Sequence, residues 1–229
     1  MYKYIEQSIK NVRARVAAAA KKAGRQESDI AIVAVAKTFP SAAIKAAVGY
    51  GLGDIGESRV QEAEQKIKEL GQVARWHLVG HLQTNKAAKA VKMFDMIQSV
   101  DSLKLAEAMN RAAESEGKKI DCLVEINSSG ELSKFGVRPS DAERLIEDIL
   151  ELRHISLRGL MTVGPLTESE PVLRASFRMT RKILEQGQAL AGEKFHILSM
   201  GMSGDFETAI EEGSNMIRLG SALFGERKR

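Results

Sequence analysis

The stretch Ile30-AIVAVA-Lys37-Thr38 decides the reading of this chain, and its counterpart, Asn215-MIRLGSALF-Gly225, lies near the other end. The first is an apolar, partly β-branched run without polar alternation, the pattern of a parallel strand buried on both faces. It ends in a lysine, which places an amine at the strand's tip. The second carries Arg218 and runs straight into the turn Gly220-Ser221. If the strands between them close into a barrel, first and last become neighbours. Amine, guanidinium and turn then converge.

Working outward, short strand patterns recur at residues 30–36, 54–55, 76–79, 96–100, 120–126, 156–161, 196–199 and 216–219. Helical patterns separate them at residues 41–48, 58–70, 85–92, 102–116, 140–152, 171–191 and 206–212, with Ser102 and Ser140 placed as N-caps. Eight strands, seven helices between them and an extra N-terminal helix predict an α/β protein, a single (β/α)8 TIM barrel over residues 1–229. A doubly wound open sheet fits the same periodicity. The barrel is preferred because polar residues cluster at the strand ends, where a barrel uses them. No repeat or linker interrupts the pattern, and residues 165–171 form the loosest loop.

Composition bounds the function. Of 229 residues, 44% are hydrophobic and 28% charged, as in a globular protein with a sizeable core. The balance of 34 basic and 30 acidic residues is mixed, so no nucleic-acid partner is expected despite the net charge of +4. Cys122 is the only cysteine, which excludes an intrachain disulfide and a multi-cysteine metal site; it reads as a small core residue. No run of about 18 apolar residues suggests a membrane partner. The N-terminal helix pattern contains Glu6 and lacks the long apolar stretch of a signal peptide, so a cytoplasmic location is expected. No histidine pair has metal-ligand spacing, and no metal is expected.

The chemistry gathers at the strand ends. In chain order these carry Lys37-Thr38, Gly56-Glu57-Ser58-Arg59, the segment from Gly80 to Lys86, Ser99-Val100-Asp101, Asn127-Ser128-Ser129, Met161-Thr162, Ser199-MGMSG-Asp205 and Arg218-Leu219-Gly220-Ser221. A lysine ending a strand is ordinarily solvated. Beside Arg218, however, a neighbouring cation favours the neutral amine that Schiff-base chemistry needs. Gly201, Ser203 and Gly204 before a predicted helix, with Gly220 and Ser221, supply the amides and hydroxyls of an anion cradle. Barrels often hold phosphate after strands seven and eight. The set suits an aldehyde-bearing, phosphorylated cofactor. Arg218, facing a pyridine nitrogen, would keep it unprotonated and make the ring a poorer electron sink.

Other polar residues read more plainly. His77 and His196 are expected in the core, His154 on the surface between elements, and His81 near the mouth within reach of a ligand. Asp205 and Glu207 read as helix N-terminal acids. Lys86, Lys89 and Lys92 form one solvated helix face, and Arg227, Lys228 and Arg229 a solvated terminus.

The ordered set Ala34-VAK-Thr38, Gly56-ES, Val60-Q-Glu62, Trp76-HLVGHLQTN-Lys86, Lys134-F-Gly136, Arg158-GL-Met161, Ser199-MGMSG-Asp205 and Met216-IRLGSALF-Gly225 resembles the pyridoxal 5′-phosphate homeostasis protein family. That family is similar to the barrel domain of fold-type III enzymes such as alanine racemase. The resemblance runs from about Ile30 to Gly225. It implies pyridoxal 5′-phosphate (PLP) held as an aldimine of Lys37. Ser203, Gly220 and Ser221 would hold the phosphate and Arg218 the pyridine nitrogen. Met200, Gly201, Met161 and Val79 would line the ring pocket, Ser199 would stand at the strand-seven end, and Asn127 would approach from strand five. Ser58 departs from the asparagine common in the family, which puts a contact from that position in doubt.

The resemblance further implies a role in intracellular PLP homeostasis without catalytic turnover, with PLP-dependent apo-enzymes as candidate recipients and a monomer or weak homodimer as the working form. A PLP-dependent amino-acid racemase is the alternative. Two-base racemization needs an acid/base on each face of the substrate. The fold-type III racemases take one of these, a tyrosine, from a second domain, for which the chain leaves no room after strand eight. Tyr2, Tyr4 and Tyr50 do not fall at predicted strand ends. A Schiff-base aldolase acting on a sugar phosphate is a further alternative.

Overall fold

The computed structural model describes residues 2–131 and 133–226. Ile5, Ile9, Val12, Val16, Ala19 and Ala20 fall on one face at helical spacing, and they form the buried side of helix α1 (Lys3–Lys22). Strands and helices then alternate: β1 (Ala31–Val35), α2 (Ser41–Gly49), β2 (Asp54–Glu57), α3 (Val60–Leu70), β3 (Arg75–Leu78), α4 (Ala87–Met93), β4 (Met96–Val100) and α5 (Leu103–Ser115). There follow β5 (Ile120–Ile126), α6 (Ala142–Leu150), β6 (Ile155–Thr162), α7 (Glu170–Ala191), β7 (Ile197–Ser199), α8 (Phe206–Glu211), β8 (Met216–Leu219) and α9 (Ser221–Phe224).

The strands are parallel, pair in chain order and close into a barrel, β8 returning to β1 with Val33 opposite Arg218 and Ala34 opposite Leu219. The open-sheet alternative is thereby set aside. Because side chains alternate along a strand, the core splits in two. Val33, Met96, Leu123, Met161, Ile197 and Met216 fill the barrel interior. Ala34, Ile55, Leu78, Ile97, Val124, Leu160 and Ile217 face outward into a larger layer shared with the helices. Cys122 is fully buried in that outer layer, as expected.

Helix α1 packs across α8 and α9, the helices flanking β8. Arg25 continues this tie by donating from Nη1 to the Ser214 carbonyl at 2.7 Å, and Arg15 lies 4.5 Å from the Phe206 ring centroid.

Several expectations need adjustment. β2 runs two residues past the anticipated 54–55, because Gly56 and Glu57 continue the ladder against His77 and Leu78. Short 3-10 turns at Thr84–Lys86 and Pro139–Asp141 precede α4 and α6, so these helices start later than expected. Ser140 lies within one of these turns and Asp141 is the residue preceding α6; Ser102 precedes α5, but its hydroxyl goes to Asp101 and caps no amide. His196 is exposed, since β7 begins one residue later, and its ring meets the Glu193 carbonyl at 3.2 Å. The basic terminus, Arg227 to Arg229, lies outside the described residues.

Gly159 sits where β6 changes register against β5, Cys122 pairing with Leu157 but Leu123 with Gly159. Its φ is 149°, and a Cβ there would stand 1.9 Å from the Ile197 carbonyl oxygen. The bulge needs a residue without a side chain. Gly159→Ala is expected to cost roughly 2–4 kcal/mol, read as a lower urea midpoint with an unchanged slope.

Candidate functional site

The C-terminal ends of the strands surround a cavity of ≈ 690 Å³, within the roughly 300–1,000 Å³ of small-molecule sites. Val35, Val79 and Val163 give it apolar walls; Lys37, Arg59, His81 and Arg218 give it charged or ionisable groups; Ser58, Gly80, Met202, Ser203, Gly204, Gly220 and Ser221 complete it. The floor is open because β2 contributes a glycine: a Cβ on Gly56 would stand 3.0 Å from Val33 Cγ1 and 3.2 Å from Val35 Cγ2. At the rim, Gly80 passes so close to β2 that a Cβ would lie 2.4 Å from the Ser58 carbonyl oxygen.

Arg218 is buried, 4% exposed. Its Nη1 donates to Ser199 Oγ and its Nη2 to the Thr162 carbonyl, both at 2.8 Å. Burial pushes the guanidinium down to about 10, against the pull of Glu125 and Asp205, which leaves it a cation at neutral pH. Glu125 faces inward from β5, buried, with Oε2 unpartnered among the described residues. Burial raises its carboxyl to about 7, opposed by the Arg218 charge.

The turn after β7 meets the turn after β8 at Ser203, whose Oγ accepts from the Gly220 amide at 3.3 Å and the Ala222 amide at 3.1 Å. Ser203, Gly220 and Ser221 come together at the cavity wall. Asp205 precedes α8 and accepts from the Met202 amide, and Glu207 lies in the first turn, as their sequence positions suggest.

Lys37 is held by its neighbours on both sides. Thr38 adopts φ 70°, unusual for a β-branched residue, and its amide donates to Glu62 Oε1. The Ala36 carbonyl accepts from Lys66 Nζ at 2.8 Å, and the same ammonium meets Glu57 and Glu62 at 2.7 Å each. Lys66 and Glu57 are both buried. Burial raises the Glu57 carboxyl to about 7, opposed by Lys66. Helix α3 thus grips the peptide groups before and after the site lysine.

Of the residues singled out from sequence as ligand contacts, Lys37, Ser58, Val79, His81, Ser203, Gly204, Arg218, Gly220 and Ser221 line one cavity. The others stand elsewhere. Ser199 lies beneath, bonded to Arg218. Met161 packs in the barrel interior and Met200 in the outer layer. Gly201, at φ 96°, lets α8 pack closely: a Cβ there would be 2.7 Å from Ala209 Cβ. Asn127 spends its amide on its own loop, bonding the Glu131 and Lys134 carbonyls, and lines a separate cavity of ≈ 190 Å³. His81 is at the mouth as anticipated, stacked on Phe135 at 3.8 Å and 3.2 Å from Asp101. Val35 and Val163 were not singled out; strand phase identifies them, two residues from Lys37 and Met161. Among the described residues, no group of His, Cys, Asp or Glu could hold a metal ion.

The family model for the alanine racemase N-terminal domain matches residues 8–228, and the chain belongs to that family. Its relatives narrow the class. It is 38% identical over 221 residues to the pyridoxal phosphate homeostasis protein of Aquifex aeolicus, covering 96% of this chain and 97% of that one. It is 38% identical over 229 residues to the protein of the same name from Escherichia coli K12, covering 97% of each. Among solved structures it resembles PipY of Synechococcus elongatus with PLP bound: TM-score 0.85, 35% identity, 96% of this chain and 100% of that one. Alanine racemase of Clostridium difficile shares the fold, with TM-score 0.75 and 21% identity over 88% of this chain and 56% of that one.

Two outcomes are expected. Lys66→Met leaves Glu57 and Glu62 without their shared cation and should cost about 3–5 kcal/mol in chemical denaturation. Glu125 is more easily protonated in the folded state, so its contribution to stability is present at low pH and lost as pH rises from about 4.5 to about 7. Glu125→Gln should therefore raise the thermal midpoint more at pH 8 than at pH 5.

Proposed function

We propose that this protein binds PLP at the C-terminal mouth of the barrel and serves in the homeostasis of that cofactor, holding it covalently without turning over a substrate. The observation that carries the reading is the convergence of Lys37, Arg218 and the Ser203–Gly220 turn on one cavity. The names of the full-length relatives and the PLP in PipY support it.

The residues present fit this ligand. Ser203, Ser221 and the amides of the turn after β8 match a phosphate, and the open floor at Gly56 admits a flat ring between Val35, Val79 and Val163. PLP supplies an aldehyde that links reversibly to a primary amine. Lys37 contributes that amine from a backbone held by α3. Arg218 presents donors only to the ring nitrogen and remains charged, which holds that nitrogen as an acceptor. The apolar walls exclude water from the ring faces, and the cationic lining favours an anionic ligand.

A holding role is supported by the lining itself. Among the described residues of the lining, the one side chain besides Lys37 suited to proton transfer is His81, which is engaged by Asp101 and Phe135 at the rim. Reversible exchange at Lys37 would let free amines or apo-enzymes collect the ligand, which makes PLP-dependent apo-enzymes its candidate recipients. Among the described residues, no helix is long and apolar enough to cross a membrane.

Adding PLP to the purified protein should produce a visible absorbance band that borohydride abolishes, leaving a pyridoxyl adduct mapped to Lys37. Lys37→Ala should show neither. Incubation of the loaded protein with L-alanine should yield no D-alanine. Absence of the Lys37 adduct would overturn covalent holding, and sustained racemization would overturn the non-catalytic reading.

A further inference from the structure

A line of polar side chains crosses the barrel interior beneath the site. Arg218 Nη1 donates to Ser199 Oγ at 2.8 Å, and Ser199 Oγ stands 2.7 Å from Gln98 Oε1. Gln98 Nε2 stands 3.0 Å from His77 Nδ1 and 3.3 Å from Met216 Sδ. His77 Nε2 stands 2.8 Å from Asp54 Oδ1. The first four side chains are buried; Asp54 is partly exposed, at the edge of a cavity formed where the strands begin.

Donor inventory gives this line one direction. A guanidinium only donates, so Ser199 Oγ accepts from it and sends its single proton to Gln98 Oε1. The two N–H groups of the Gln98 amide then face two acceptors, His77 Nδ1 and Met216 Sδ. A neutral ring accepting at Nδ1 carries its proton on Nε2, aimed at the Asp54 carboxylate. Reversing the amide would put Oε1 against Nδ1 and require a proton there. On a neutral ring that would leave Nε2 and the carboxylate as two acceptors in contact. On a doubly protonated ring it would leave the Ser199 proton without its acceptor.

We propose that Gln98 and His77 are positioning residues for Arg218. With Ser199 and Asp54 they hold the guanidinium in one orientation, turning the donors not used by Ser199 and Thr162 toward the cavity. A buried cation is stable only when its N–H groups are partnered and its charge is balanced, and this line connects it to a carboxylate at the opposite mouth. The effect on ligand rests on the reading of the cavity as a PLP site; the direction of the line does not.

Two measurements test it. In the ligand-free protein, ¹⁵N-resolved imidazole correlations should show His77 as the Nε2–H tautomer, and a proton on Nδ1 would overturn the proposed direction. Gln98→Leu should weaken PLP about tenfold, with the Lys37 adduct still formed at saturating PLP. Unchanged affinity in Gln98→Leu would overturn the positioning role. If Gln98→Leu does not fold, Ser199→Ala against Ser199→Thr makes the same comparison, since threonine keeps the hydroxyl; equal affinity in the two would overturn the role. Failure of the wild-type protein to bind PLP would remove the reading of the cavity. Positioning would then be judged from the ligand-free Arg218 guanidinium N–H signals: resolved in wild type and broadened in Gln98→Leu if it holds, alike in both if it does not.

Discussion

Everything at the mouth of this barrel depends on one backbone pairing, that of β1 with β8. With Val33 opposite Arg218, the inward positions of β1 continue through Val35 to Lys37, and those of β8 through Arg218 to Gly220. A slip of one residue would turn each of these side chains into the helical layer. The pairing is defended from outside by α1, which lies across α8 and α9. A helix outside the repeating unit thereby braces the elements that flank β8.

The interior is graded. Methionine, leucine, isoleucine and valine fill its apolar layer, while Arg218, Ser199, Gln98 and His77 form a polar one around it. Buried charge is handled in two ways. Arg218 keeps its charge, with short hydrogen bonds to hydroxyl and carbonyl oxygens, and Lys66 donates to carbonyl and carboxylate oxygens. Glu57 and Glu125 are pushed toward the neutral form by burial. The outcome is a cavity whose lining, among the described residues, carries lysine and arginine but no carboxylate.

Much of this was legible in the sequence. Each of the eight strands leaves an apolar, β-branched trace; β6 runs one residue past its expected bounds at each end, and β2 two residues past its expected end, because Gly56 and Glu57 lack the strand signature though they pair as strand. Lys37, Arg218 and Gly220 could be found because strand ends are visible in a pattern. Met200 turns to the outer layer and Asn127 to its own loop, because nearness in sequence to a strand end does not state which way a side chain points; Ser199 faces inward but lies beneath the cavity, bonded to Arg218. Lys66 was not legible at all. Its partners come from β2, α3 and the β1 tip, and no local spacing joins these.

The grip of α3 on the peptide groups around Lys37 has a kinetic meaning. Thr38 already occupies its costly left-handed conformation, and Ala36 is already tied to Lys66. Backbone ordering is therefore complete before any ligand arrives, and little entropy remains to be lost there. On the proposed reading of Lys37 as the anchoring amine, the lifetime of a bound molecule would be governed by the making and breaking of its bond to that amine, so an encounter with a competing amine would set the tempo of departure.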